Sequence, residues 1–95
     1  MLEIYKEFVK LAVDIREEIL AGGGEFHADC ESVLLEEGSQ QEDIWGADWV
    51  PEKREVRFGA IINLRPRQKN LSTEIQDVKI RRKVEAVVRR LLEAK

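Results

Sequence analysis

Two short polar segments, Glu37-Gly38-Ser39-Gln40 and Pro51-Glu52-Lys53-Arg54, cut the centre of the sequence into three brief runs: residues 26–36, 41–50 and 55–64. Gly, Ser and Pro each favour turns for a definite backbone reason, so both segments read as turns and the runs between them as strands. Side chains alternate across a sheet, so a fixed turn also fixes which residues share a face. Centring the hairpins on Gly38-Ser39 and Glu52-Lys53 sorts the three runs cleanly. One face collects the rows Leu34/Asp43/Ile62, Ser32/Trp45/Ala60, Cys30/Ala47/Phe58 and Ala28/Trp49/Val56. The other collects Leu35/Glu42/Asn63, Val33/Ile44/Ile61, Glu31/Gly46/Gly59, Asp29/Asp48/Arg57 and His27/Val50/Glu55. The first face is largely apolar and reads as the core side, with Trp45 and Trp49 filling it.

The flanks read as helices. In residues 2–21, Ile4, Phe8, Leu11, Ala12, Ile15 and Ile19 follow helical spacing. A second stripe of Leu2, Tyr5, Val9 and Val13 widens the apolar arc enough to imply contact with another helix or another subunit. Gly22, Gly23 and Gly24 then read as its stop and hinge. After the meander, residues 65–72 form a polar loop in which Pro66 discourages ladder pairing. A final helix runs to about residue 93 with Ile80, Val84, Val87, Val88, Leu91 and Leu92 on one face. Thr73 with Gln76 fits a capping box for it, and Asp77 fits an N-cap for a start at Val78. The expected fold is α+β, a single domain over residues 1–95: helix, three-stranded antiparallel meander, helix, with both helices packed on one sheet face.

Composition limits what such a domain can do. No apolar run approaches the roughly 18 residues of a membrane span, and no leader pattern precedes the first helix. A single cysteine excludes an internal disulfide. These features point to a cytoplasmic protein. Charge is divided along the chain: residues 1–50 carry 13 acids and 3 bases, residues 51–95 carry 6 acids and 13 bases. Arg65, Arg67 and Lys69 in the loop, with the bases of the last helix, could track a phosphate backbone. Against this stand the net charge of −3, the absence of interleaved aromatics, and helix pairs such as Glu85 with Arg89. Attraction between the acidic and basic halves accounts for the split more simply.

The second sheet face carries the candidate chemistry. His27, Asp29 and Glu31 alternate along one run and so point the same way. They face Asp48 and Arg57, with space left by Gly46 and Gly59. The group could be a shallow site with His27 as general acid–base, Asp29 or Glu31 orienting it, and Arg57 or Arg65 binding an anion. The reading favoured over it is a solvated face on which Arg57 pairs with Asp48 and Asp29. Strand spacing puts His27 and Glu31 about 13 Å apart, too far to share one ion. Asp29 with Asp48 could hold a hard cation, but Arg57 competes for the place, so no metal and no cofactor are assigned. Cys30 falls among Ala28, Ala47 and Phe58, on the opposite side from His27, and reads as a buried inert thiol.

The segments GGGEFHADCE (residues 22–31), LLEEGSQQEDIWG (34–46) and INLRPRQKNLSTEI (62–75) together resemble a family of short prokaryotic proteins, a domain of unknown function. The resemblance spans residues 15–92. It implies no activity, substrate or cofactor, but draws attention to His27, Asp29, Glu31, Asn63 and Arg65. Where similar proteins have proline after the aspartate matching Asp77, this chain has Val78.

The favoured expectation is a non-enzymatic binding or assembly module, homodimeric, because the first helix and the Val33/Ile44/Ile61 row both present apolar surface. The alternatives are a small enzyme or anion-binding protein built on His27, Asp29, Glu31, Asp48, Arg57, Asn63 and Arg65, and a nucleic-acid binder using the basic 65–90 region.

Overall fold

A computed structural model describes residues 8–23 and 26–92. Strand β1 (Val9–Asp14) turns into β2 (Ile19–Gly22), followed by helix α1 (His27–Glu36), β3 (Ile44–Val50), β4 (Glu55–Arg57) and helix α2 (Val78–Leu92). The strands form one antiparallel sheet in the order β2-β1-β3-β4. The α+β class holds, with four strands where three were expected.

The first expected helix is a hairpin over its described part; residues 2–7 lie outside the described residues. Its double apolar stripe has a different cause. β1 is a central strand covered on both faces, so Leu11, Ala12, Val13 and Asp14 are all buried in succession. Leu11 and Val13 join one core and Ala12 the other. The tight turn is hidden in the sequence because its left-handed position is held by Glu18 (φ 61°) rather than glycine. Asp14 secures it instead, its Oδ1 accepting from the backbone N–H of Arg16 (2.8 Å) and Glu17 (2.9 Å). Ser39 Oγ donates to Asp14 Oδ2 at 2.5 Å. Gly22 and Gly23 therefore end β2, not a helix, and Gly23 N–H donates to Lys10 O.

The run at 26–36 is α1 rather than a strand. Gly38 is the source of the confusion, since a left-handed glycine serves a hairpin and a helix C-terminus equally well. Here φ at Gly38 is 103°. Its N–H donates to Leu35 O while Ser39 N–H donates to Leu34 O, the paired bonds of a Schellman stop. α1 buries Cys30, Glu31 and Leu34.

The second hairpin has the expected register: Asp48 pairs with Arg57, Trp49 with Val56 and Val50 with Glu55. It ends early. Beyond Arg57 the chain leaves β3, forming 3-10 turns at Ile61–Asn63 and Pro66–Gln68. Asp77 caps α2 at Val78, its Oδ1 accepting from Lys79 N–H at 2.7 Å. Of the expected α2 face, Val84, Val87 and Val88 are buried and Ile80 and Leu92 pack beside them, whereas Leu91 is exposed.

The helices lie on opposite faces of the sheet, not on one. α2 covers Leu11, Val13, Trp45, Ala47, Trp49 and Val56. α1 covers Ala12 and Ile44 with Cys30 and Leu34. Trp45 and Trp49 fill the core as expected. Ile44, expected in an apolar row with Val33 and Ile61 on the second sheet face, is fully buried under the chain's own helix, while Val33 and Ile61 remain exposed.

Candidate functional site

Helix formation at 27–36 regroups His27, Asp29 and Glu31, which were assigned to the polar face. His27, at the start of α1, crosses to β3: its Nε2 lies 2.8 Å from Asp48 Oδ1 and 3.1 Å from Ala47 O. Both partners are acceptors, so Nε2 carries the proton. Nδ1 is left without a partner among the described residues. The side chains are only 14% and 17% exposed, so the pair is shielded.

Asp29 stays outside this pair. It is exposed on the first turn of α1 and its Oδ2 accepts from Phe26 N–H at 3.1 Å, tying down the helix start. The expected opposition of Asp29 and Asp48 does not exist, because one sits on a helix and the other on β3. Arg57 does pair with Asp48 in backbone register, yet its guanidinium lies 3.9 Å from Glu55 and half exposed, apart from His27. Among the described residues no group of three or more His, Cys, Asp or Glu is placed to hold a metal ion. Cys30 is buried as expected, but against β1, where its Sγ meets Lys10 O at 3.5 Å.

Asn63 and Arg65 are brought together as a structural clamp. Asn63 is wholly buried; its Oδ1 accepts from Gly46 N–H at 2.7 Å and its Nδ2 donates to Gly46 O at 3.0 Å. That is the two-way exchange of a strand pair, made by a side chain where β4 has left the sheet. Gly46 is required there: a Cβ would lie 2.5 Å from Ala60 Cβ. Arg65 stacks 4.6 Å over the Trp45 ring. Its Nε donates to Ile62 O at 2.8 Å and its terminal nitrogens to Gln41 O at 2.9 Å and to Ile44 O. Glu31 Oε2 lies 3.7 Å from it. Burial pulls the guanidinium below its usual pKa and Glu31 partly restores it. With its donors committed to carbonyls, Arg65 holds the loop to the sheet rather than presenting itself to an anion. Asn70 completes the knot, its Nδ2 donating to the carbonyls of Asn63, Ser72 and Glu74.

What remains open lies beside His27. A cavity of about 340 Å³ is lined by Lys10, Phe26, His27, Ala28, Ile61 and Ile62, within the size range of small-ligand pockets. Phe26 and Ile61 are 63% and 81% exposed at its rim. Ile61 and Ile62 separate it from a second cleft of about 400 Å³ that includes Glu31, Gln41, Arg65 and Arg67. Of the sequence candidates only His27 lines the first pocket. Lys10, Phe26, Ala28 and Ile62 were missed, since β1 is covered on both faces and shows no clean alternation, while Ile61 had been singled out only as apolar surface. Ile62 gave no signal of its own, because residues in a 3-10 turn read locally like a strand.

Among the basic residues, Arg81, Arg89 and Arg90 are engaged within the fold. Arg81 stacks 5.1 Å over Phe58, Arg89 pairs with Glu85 at 2.8 Å, and Arg90 meets Glu18 at 3.1 Å. No helix among the described residues is long and apolar enough to cross a membrane.

A family model described as protein of unknown function (DUF5674) matches residues 1–91. No curated protein and no solved structure matches the chain.

Proposed function

We propose that this chain, which belongs to the family described as protein of unknown function (DUF5674), is a non-enzymatic binding module that takes an apolar group into the pocket between α1 and the Ile61–Asn63 turn and works as a homodimer. The carrying observation is the apolar lining beside two large hydrophobic side chains, Phe26 and Ile61, held in solvent. Such exposure is costly unless a partner covers it. The polar residues that an enzyme would use are largely spent on the fold: Asp29 on a helix start, Asn63 and Arg65 on the loop clamp.

Titration of the neutral fluorescent probe 1-aminoanthracene tests the pocket. Binding by the native chain, weakened at least about tenfold in Ile61→Asp with the helical circular-dichroism signal unchanged, is the expected result. Equal binding by both overturns the reading. Light scattering at micromolar concentration tests the assembly state, and a clean monomer removes the homodimer. The small-enzyme alternative retains the His27–Asp48 pair. Turnover of an ester probe that is lost in His27→Ala and kept in Asp29→Ala would favour it over binding alone.

A further inference from the structure

Helix α2 carries six bases and one acid over Val78–Leu92. Positions three and four apart return to one side of a helix. Lys79, Arg82, Lys83, Ala86 and Arg90 therefore form one stripe, and all of them are exposed. The single acid, Glu85, lies off this stripe and is paired with Arg89 at 2.8 Å. Lys79, Arg82 and Lys83 have no side-chain hydrogen bond or ion pair among the described residues. Arg90 is shared with Glu18 at 3.1 Å. From Lys79 to Arg90 the stripe is about 16 Å long, at about 1.5 Å of rise per residue. Beside its C-terminal half a cavity of about 310 Å³ opens toward the β1–β2 turn, lined by Ile15, Glu18, Lys83, Ala86, Val87 and Arg90.

We infer that this face of α2 binds the phosphate backbone of double-stranded nucleic acid, without reading its sequence. The stripe has no apolar side chain larger than Ala86, so nothing on it inserts among acyl chains as an interfacial helix does. It has no aromatic or Met anchor of the kind that protein interfaces bury at their centres. Nor does it present a ring on which an unpaired base stacks. What it does present is a row of cations, over a length along which one duplex strand sets about five phosphates. The net charge of −3 does not oppose this, because binding follows the local field and salt screens charges beyond about 10 Å. α1, with exposed Asp29 and Glu36, lies on the opposite face of the sheet. The surface is likewise separate from the pocket beside α1 and independent of its occupant.

The experiment follows the fluorescence anisotropy of a short labelled DNA duplex of mixed sequence, titrated with the native chain at low salt. Three unpaired bases predict that log K falls against log salt with a slope of about −3, from 0.9 per phosphate neutralised. Arg82→Glu with Lys83→Glu is expected to weaken binding at least about tenfold. Lys53→Glu with Arg54→Glu in the β3–β4 turn makes the same change in net charge and is expected to alter binding less than about twofold. Arg82→Lys with Lys83→Arg is expected to keep the affinity, which shows that charge, not folding, is being read. Glu18→Gln releases Arg90 and is expected to tighten binding and steepen the slope by about one.

No binding of the duplex at low salt, or a slope near zero, overturns the inference. So does an equal loss in the turn variant, which would reveal attraction to net charge rather than to the stripe. An affinity that stays the same or falls in Glu18→Gln overturns the assignment as well. Polyglutamate or phosphatidylserine vesicles bound as tightly as the duplex would give the surface to an acidic protein or a membrane instead. Each of these results leaves the pocket reading untouched.

Discussion

Asn63 never meets solvent, and its amide stands in for a strand at Gly46. The same Nδ2 lies 3.3 Å from Phe58 O and 3.2 Å from Thr73 O. Asn63→Ala therefore leaves several buried backbone groups unpaired. At about 1–3 kcal/mol for each unsatisfied group, the loss should be roughly 3–5 kcal/mol, read as a fall in the urea midpoint. A loss below about 1 kcal/mol would contradict the role. Arg54 offers the opposite test. It occupies the left-handed region (φ 50°) in the β3–β4 turn, where a side chain is strained and glycine is not. Arg54→Gly should raise stability by about 0.5–1 kcal/mol, visible as a higher melting temperature. The family resemblance drew attention to Asn63 and Arg65 but could not assign their roles. A buried asparagine that knots a loop and one that binds a ligand look alike until their partners are placed.

The elements were legible in proportion to how locally they are determined. α2 and its Asp77 cap, the β3–β4 register and the two core tryptophans follow from neighbouring residues alone. The β1–β2 hairpin and α1 do not. A centrally buried strand loses the alternation that marks a half-exposed one, and Gly38 supports either a turn or a helix stop. That exchange of strand for helix moved Asp29 and Glu31 away from His27 and hid the Lys10 side of the pocket. β2 carries a prediction of its own. It is an edge strand of Ile, Leu, Ala and Gly with no charge or proline along it, and no backbone partner besides β1 among the described residues. Unprotected edges of this kind accept another strand. Two copies joined antiparallel through β2 are the expected homodimer, and Ile19→Lys should shift light scattering from two copies toward one. An unchanged mass would place the contact elsewhere.

At the scale of the whole molecule, ion pairs among the described residues join the acidic and basic halves. Arg90 with Glu18 and Arg65 with Glu31 join them, while Arg57, Arg81 and Arg89 pair within the basic half. Apart from Arg65–Glu31 and His27–Asp48, these ion pairs have largely exposed side chains. Exposed pairs of this kind contribute about 0–1 kcal/mol and are screened by salt. Raising salt from low to about 0.5 M should consequently move the urea midpoint little. Arg65→Lys should lower the unfolding free energy by about 2–4 kcal/mol at either salt, since one ammonium cannot serve three carbonyls in fixed directions. The unequal margins of the sheet also have a consequence for how copies can add. At the far margin, β4 is three residues long with exposed Glu55 and Arg57. Its continuation is overlaid by the segment carrying Glu74, through Gly59↔Glu74 and Ile75 N–H to Phe58 O. Among the described residues the β2 margin is the open one, and a strand arriving there from a second copy would turn that copy's partly overlaid β4 margin outward. If copies join through β2 as predicted, strand addition would end at two copies instead of running on into fibres.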